Sequence, residues 1–285
     1  MNKFGVDSFI WTEVFGDKDV WIIPKAKDLG FEVVDLAIAY PERFPLDKVL
    51  AAKNETGLEL VTTTTLGADT NLISPDAAIR KNGVRHMKQM VDINIALGSK
   101  IIGGVISSGW GCLTRRPRTG QEWEWSVTAM KEISDYAKEN WDGVLAVECI
   151  NRFETHFINI AADAVRYCKD VGNQNMKVHL DCFHMNMEEK SFTGAVETCG
   201  DYLGYIHVNE NDRGIPGTGR VPFKEFFTAV RDNGYTGPLT IESFDPSFEE
   251  LAGNCAIWRK FAESGEALAI EGLANLKRIA AEVWR

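Results

Sequence analysis

Apolar positions along the chain fall into two alternating patterns. Short runs rich in β-branched residues, near 4–10 (FGVDSFI), 31–38 (FEVVDLAI), 58–64 (LELVTTT), 100–106 (KIIGGVI), 143–148 (GVLAVE), 176–181 (MKVHLD), 204–208 (GYIHV) and 238–242 (PLTIE), read as strands. Between them, stretches such as 75–97, 124–139, 160–171 and 222–232 return apolar residues at three- and four-residue intervals, the mark of a helix with one buried face. Gly30, Gly57, Gly98 and Gly234 stand just before strands, where a left-handed residue closes the preceding helix. The unit is strand then helix, repeated about eight times. Near-continuous apolar strands alternating with helices imply a parallel sheet covered on both faces, and eight such units close most naturally into a (β/α)8 TIM barrel. A doubly wound open sheet is the alternative, but it would carry a Gly-rich phosphate turn after its first strand, and DSFIWTEVFGD has none. The tail, about 247–285, reads as two amphipathic helices that close the barrel or support a dimer. A single α/β domain over 1–285 is expected, since barrels of this kind reach that length as one unit.

Composition narrows the partners. The chain is 45% hydrophobic and 25% charged, ordinary for a globular protein. Its formal net charge of −10 would repel a nucleic-acid backbone or an anionic membrane at long range and is compatible with a small neutral substrate. No segment approaches the roughly 20 apolar residues that span a bilayer, and the start, MNKFGVDSFIW, holds no apolar stretch of signal length, so a cytoplasmic location is expected. Six cysteines without a CxxC pair read as reduced, buried small hydrophobes.

Four polar residues break the apolar pattern at matching places. Glu148, Asp181, His207 and Glu242 close VLAVE, MKVHLD, the GYIH of GYIHV and PLTIE, the last four strands in succession. In a barrel, strand C-termini converge on one mouth, where active sites sit. A lone carboxylate at a strand end is commonly a cap or an ion-pair partner. Four in successive units are costly to bury unpaired, and a shared cation would account for all of them. Three carboxylates with one imidazole suit Mn²⁺, Mg²⁺ or Co²⁺ in octahedral geometry better than a structural zinc, and they leave two positions for adjacent substrate oxygens.

VECINRFETHFINIAADA, HLDCFHMNMEE, HVNENDRGIPGTGRVPF and IESF resemble the ketose 3-epimerases, the D-tagatose, D-psicose (allulose) and L-ribulose 3-epimerase group of the xylose-isomerase-like TIM barrels. The resemblance implies inversion of C3 of an unphosphorylated ketose through a metal-bound cis-enediolate. It implies one divalent ion per subunit, manganese or cobalt above magnesium, held by Glu148, Asp181, His207 and Glu242, with Glu148 and Glu242 doubling as the acid/base pair. It places His184, Arg213 and Glu154 on the substrate's O1–O3 end and Trp110 on an aromatic lining, and it implies a homodimer or homotetramer. Trp11 is a further candidate wall for the sugar. Asp7 departs from the aromatic first strand of the tagatose and psicose enzymes; DSFIW is closer to the L-ribulose 3-epimerases, and an inward carboxylate would bind distal hydroxyls. Arg115, Arg116 and Arg118 form a basic loop, read as a surface or subunit-interface feature over a phosphate site.

The same metal site would also serve an aldose–ketose isomerase, or an enzyme acting on a sugar phosphate or keto-sugar derivative. A repair endonuclease with a multinuclear zinc cluster needs more than five histidines and a basic groove. A non-catalytic sugar-binding protein has no reason to keep two carboxylates beside one ion.

Overall fold

The structure, a computed structural model, describes residues 1–284. Eight strands, β1 (Phe4–Asp7), β2 (Val33–Ala37), β3 (Glu59–Thr65), β4 (Ile101–Val105), β5 (Val144–Glu148), β6 (Met176–Asp181), β7 (Leu203–His207) and β8 (Leu239–Ile241), form a closed barrel in sequence order. All pairs are parallel, and the ring shuts where β8 pairs with β1 through Phe4↔Leu239, Gly5↔Thr240 and Val6↔Ile241. An open doubly wound sheet is thereby excluded. Asn2 clamps the closure, its amide donating to the carbonyls of Tyr235 (2.9 Å) and Gly237 (2.7 Å).

The helices are α1 (Ile22–Asp28), α2 (Leu46–Thr56), α3 (Ala77–Leu97), α4 (Gly120–Asn140), α5 (Ala161–Val171), α6 (Cys182–Glu188), α7 (Phe192–Cys199), α8 (Phe223–Asn233), α9 (Glu249–Asn254) and α10 (Gly265–Val283). Gly57, Gly98 and Gly234 are left-handed caps of α2, α3 and α8. Gly30 is left-handed as well but lies one residue beyond the cap of α1. α4 begins ahead of the apolar periodicity, at Gly120, because Thr119 and Glu122 form a reciprocal capping box: the Glu122 amide donates to Thr119 Oγ1 (3.2 Å) and the Thr119 amide to Glu122 Oε2 (2.7 Å). β1 ends at Asp7 rather than at residue 10 because the Asp7 carboxylate accepts from the Phe9 amide (2.6 Å) and bends the chain into a 3-10 turn, Ser8–Ile10. The tail holds two helices of unequal length. α9 is one short turn and a half, while α10 packs on α8, on β8 and on the turn after β1, over the seam of the ring. Arg285, the last residue of the expected tail, lies outside the described residues. Among the described residues no helix is long and apolar enough to cross a membrane.

Alternation along the strands sorts their side chains between the helices and the barrel interior. Val33, Val61, Ile101, Ala146 and Tyr205 form a separate apolar layer inside the ring. Toward the strand C-termini the interior turns polar, with Asp35, Thr63, His179 and Thr240 buried there. Gly103 makes room for this filling, since a Cβ there would come within 2.8 Å of Tyr205 and 3.2 Å of His179. Its neighbour Gly104 has φ +104°, and a Cβ there would collide with the backbone carbonyl of Thr64. Gly104→Ala is therefore expected to cost about 3 kcal/mol or more of stability, read as a lowered denaturant midpoint with an unchanged slope.

Candidate active site

β5, β6 and β7 end on Glu148, Asp181 and His207, and Glu242 follows β8 directly. The four side chains meet at the barrel mouth, 8%, 0%, 1% and 9% exposed respectively. Asp181, His207 and Glu242 present donor atoms within 4.8 Å of one another, and so do Glu148, Asp181 and His184. His207 Nδ1 lies 3.6 Å from Asp181 Oδ2 and 3.4 Å from Glu242 Oε2, buried and without a hydrogen-bond partner. Three buried carboxylates face one guanidinium, that of Arg213, and an imidazole nitrogen points among them with nothing to bind. That donor set fits a hard divalent cation.

The charges shape one another. Burial, then the charges of Glu242 and Asp181, push Glu148 well above the usual carboxylate range. Asp181 and Glu242 would also be raised by burial, but Arg213 and the neighbouring imidazoles hold Asp181 well below and Glu242 below it. Burial would depress His207, yet Glu242, with Asp181 and Asp35, lifts it well above the ordinary imidazole value. His184 is lowered, chiefly by burial.

Arg213 reaches the centre from the loop after β7. Nη1 donates to Asp181 Oδ2 (3.0 Å) and Glu242 Oε2 (2.5 Å), and the guanidinium lies between the rings of Phe183 (4.2 Å) and Phe244 (4.9 Å). The residue itself is left-handed, φ 64°, and Ser243 Oγ donates to its carbonyl (2.5 Å). His184, in the first turn of α6, receives the Asn151 amide on Nδ1 (3.2 Å), while its Nε2 lies 3.3 Å from Arg213 Nη2 and 3.6 Å from Glu148 Oε1. Asn151 also donates to Glu154 (2.6 Å), and Glu154 accepts from Trp110 Nε1 (2.7 Å), so Trp110, Glu154, Asn151 and His184 form one chain of contacts. Trp11 is half-buried against Trp21, and its indole N–H has no partner. Asp7 stands beside Asp35 and His207, with Oδ2 unpartnered; burial, then the charges of Asp35 and Glu242, raise it well above the usual carboxylate range.

Four residues of the site escape a reading of the sequence. Asn209 donates to Asp181 Oδ2 (2.6 Å) and accepts the Glu242 amide (2.7 Å), tying two strand ends together. Glu210, 1% exposed, gathers the amides of Asn211 (3.0 Å), Gly217 (2.9 Å) and Val221 (2.9 Å) and so folds the loop that carries Arg213. Asp35 and His179 lie one layer below the mouth. A carboxylate within VVDLA and an imidazole within MKVHLD were the available signals, each a polar side chain inside a buried strand.

Two of the three arginines in the basic loop after β4 are committed elsewhere. Arg116 makes a two-pronged pair with Glu122 (2.9 and 2.9 Å), and Arg118 does the same with Asp163 (2.7 and 2.7 Å). Burial opposes ionisation of Glu122, but Arg116 and the Thr119 cap outweigh it and bring the carboxyl down to about 2. A depressed folded-state value means stability that is present above the ordinary carboxylate range, near pH 4.5, and is lost as the pH falls toward 2. Wild type is expected to exceed Glu122→Gln in denaturant stability at pH 6, with the gap closing between pH 4.5 and pH 2.5.

The family described as xylose isomerase-like TIM barrel matches residues 23–279. The D-psicose 3-epimerase of Ruminiclostridium cellulolyticum is 32% identical over 269 residues, 93% of this chain and 91% of its own length. The chain belongs to the ketose 3-epimerases of that barrel family. An L-ribulose 3-epimerase from Mesorhizobium japonicum is 30% identical over 94% of this chain and 91% of its own. Among solved structures, the D-allulose 3-epimerase from Methylomonas sp. in complex with D-allulose superposes with a TM-score of 0.92 at 29% identity, covering 97% of this chain and 96% of that one. Its place among the ketose 3-epimerases makes the chain an enzyme of the isomerase class.

Proposed function

We propose that this ketose 3-epimerase inverts C3 of an unphosphorylated ketose of the D-psicose/D-fructose, D-tagatose or L-ribulose type, with Glu148, Asp181, His207 and Glu242 holding one divalent ion. The observation that carries the reading is the orphaned Nδ1 of His207, buried between Asp181 and Glu242 at the centre of a carboxylate-lined mouth. Manganese or cobalt, with magnesium behind, suits that donor set. When bound, the ion supplies Lewis-acid polarisation of the substrate carbonyl.

The chain's own residues do the rest. One glutamate takes the C3 proton, the bonding pair moves toward C2 and onto its oxygen, and the glutamate opposite returns a proton to the other face of C3. Two carboxyl groups are the minimum equipment for that inversion, and Glu148 and Glu242 flank the centre. Arg213 offers its guanidinium and His184 its imidazole to the oxygens on which charge develops. Glu154 keeps Trp110 and, through Asn151, His184 in place. Trp11 and Trp110 wall the sugar, Trp11 with a free indole donor, and Asp7 reaches hydroxyls farther from the ion. The commitment of Arg116 and Arg118 to Glu122 and Asp163 favours a substrate without phosphate. A homodimer or homotetramer is the assembly we infer.

The test is product identity. D-fructose, D-tagatose and L-ribulose are incubated separately with manganese-loaded enzyme and the products resolved by NMR. C3 epimers are expected; aldoses as the main product would replace the epimerase with an aldose–ketose isomerase on the same site.

A further inference from the structure

A carboxylate with no part in the reaction above sits beneath the ion-binding residues. Asp35, fully buried on β2, reaches across the barrel interior to β7 and sideways to the adjacent β3: Tyr205 Oη donates to its Oδ2 (2.6 Å), Thr63 Oγ1 to its Oδ1 (3.1 Å), and His207 Nε2 lies 3.2 Å from Oδ2. We propose that Asp35 is a positioning residue for His207: it fixes the ring proton on Nε2 and so leaves Nδ1 bare toward Asp181 and Glu242. The assignment rests on the metal site proposed above, and it adds the group that makes His207 a ligand on one particular nitrogen.

Proton counting carries it. A phenol has one proton. Tyr205 Oη is 2.6 Å from Asp35 Oδ2 and 2.8 Å from Thr240 Oγ1, and the hydroxyl of Thr240 has a proton of its own. Tyr205 therefore donates to Asp35 and accepts from Thr240. Asp35 Oδ2 is then an acceptor, and Nε2 facing it must bear hydrogen, because two lone pairs at 3.2 Å repel. A neutral imidazole with its proton on Nε2 carries its lone pair on Nδ1, the atom that has no partner. The ring plane is held too. His179 packs edge-on to His207 at 4.2 Å and 87°, Tyr205 at 5.0 Å and 73°, and the Gly104 amide pins His179 through Nδ1 (3.2 Å). A histidine whose second nitrogen donates to a carboxylate is a stronger and better oriented ligand, and loss of such a partner typically weakens metal binding 10–100-fold.

The experiment reads the proton and the ion separately. Histidine-¹⁵N-labelled, metal-free wild type is raised in pH until the ¹⁵N shifts show a neutral His207 ring, and two-bond ¹H–¹⁵N correlations assign its proton; Mn²⁺ affinity is measured by chelator competition. Wild type is expected to show Nε2–H alone, Asp35→Ala to lose that preference, and Mn²⁺ affinity to fall about 10–100-fold in Asp35→Ala. Tyr205→Phe, which keeps the carboxylate, is expected to keep Nε2–H. Should Asp35→Ala fail to fold, Asp35→Leu, of similar size and without an acceptor, takes its place. Nδ1–H in wild type, or a folded Asp35 variant with unchanged tautomer and unchanged Mn²⁺ affinity, overturns the assignment. A wild type that shows Nε2–H, with the preference lost in the variant, but binds no Mn²⁺ supports the role of Asp35 and removes the metal reading instead.

Discussion

Glu148→Gln and Glu242→Gln are each expected to lower epimerisation by about 10³-fold or more, within the range set for loss of a general acid or base and toward its upper end, because in the proposed site each glutamate is also a ligand to the ion. An amide of the same shape neither accepts a proton from carbon nor returns one. The fold is expected to survive. Glu148 is already pushed toward its neutral form by burial and by the charges of Glu242 and Asp181, so a neutral side chain there relieves repulsion rather than creating it. Solvent deuterium sharpens the test. With one glutamate left, a single face of C3 remains served, so each variant should wash deuterium into one epimer of a ketose pair and not into the other. Epimerisation at the wild-type rate in both variants would dismiss the two-base assignment.

The second large effect is loss of the ion. Dialysis against EDTA is expected to abolish turnover, and Mn²⁺ or Co²⁺ to restore it. Asp181→Asn separates binding from proton transfer, because the proposed site uses Asp181 as a ligand and not as part of the acid/base pair. It is expected to weaken Mn²⁺ binding by at least about 100-fold, more than loss of a residue behind a ligand would. It also removes one of the two carboxylates that hold Arg213 Nη1. Affinity should fall as the pH drops in either protein, since His207 and the carboxylates must shed protons to bind. Turnover that persists undiminished in EDTA, with no metal in the protein by elemental analysis, would exclude the metal site.

What the chain discloses in one dimension follows from periodicity. A parallel strand buried on both faces is apolar along its length, so its last residue stands out when polar, and Glu148, Asp181, His207 and Glu242 are visible for that reason. Capping chemistry is local too, and Thr119 with Glu122 was there to be read; the apolar stripe alone starts the helix at 124 because its first turn is polar. Asp35 and His179 are harder. Each occupies a strand interior whose neighbours are apolar, and their function depends on what reaches them from strands they do not pair with, Tyr205 from β7 and the Gly104 amide from β4. Asn209 and Glu210 sit in a polar loop that would look the same if it were merely solvated. Their burial follows from the path of the loop across the mouth, which pairwise spacing does not encode. Arg213 owes its position to that path.

The clamp between Asn2 and Gly237 joins residues 235 apart in the chain. During synthesis from the N-terminus, β1 emerges first and its outer edge stays unpaired until β8 has left the ribosome. An exposed strand edge invites pairing with other chains, and contacts of such long sequence separation form slowly. Before β8 is available the strands can form an open sheet at most, and Glu242, delivered by the same strand that shuts the ring, arrives only when closure becomes possible. A chain halted before residue 239 lacks both the strand that shuts the ring and Glu242, so closure of the barrel and completion of its mouth depend on the same segment.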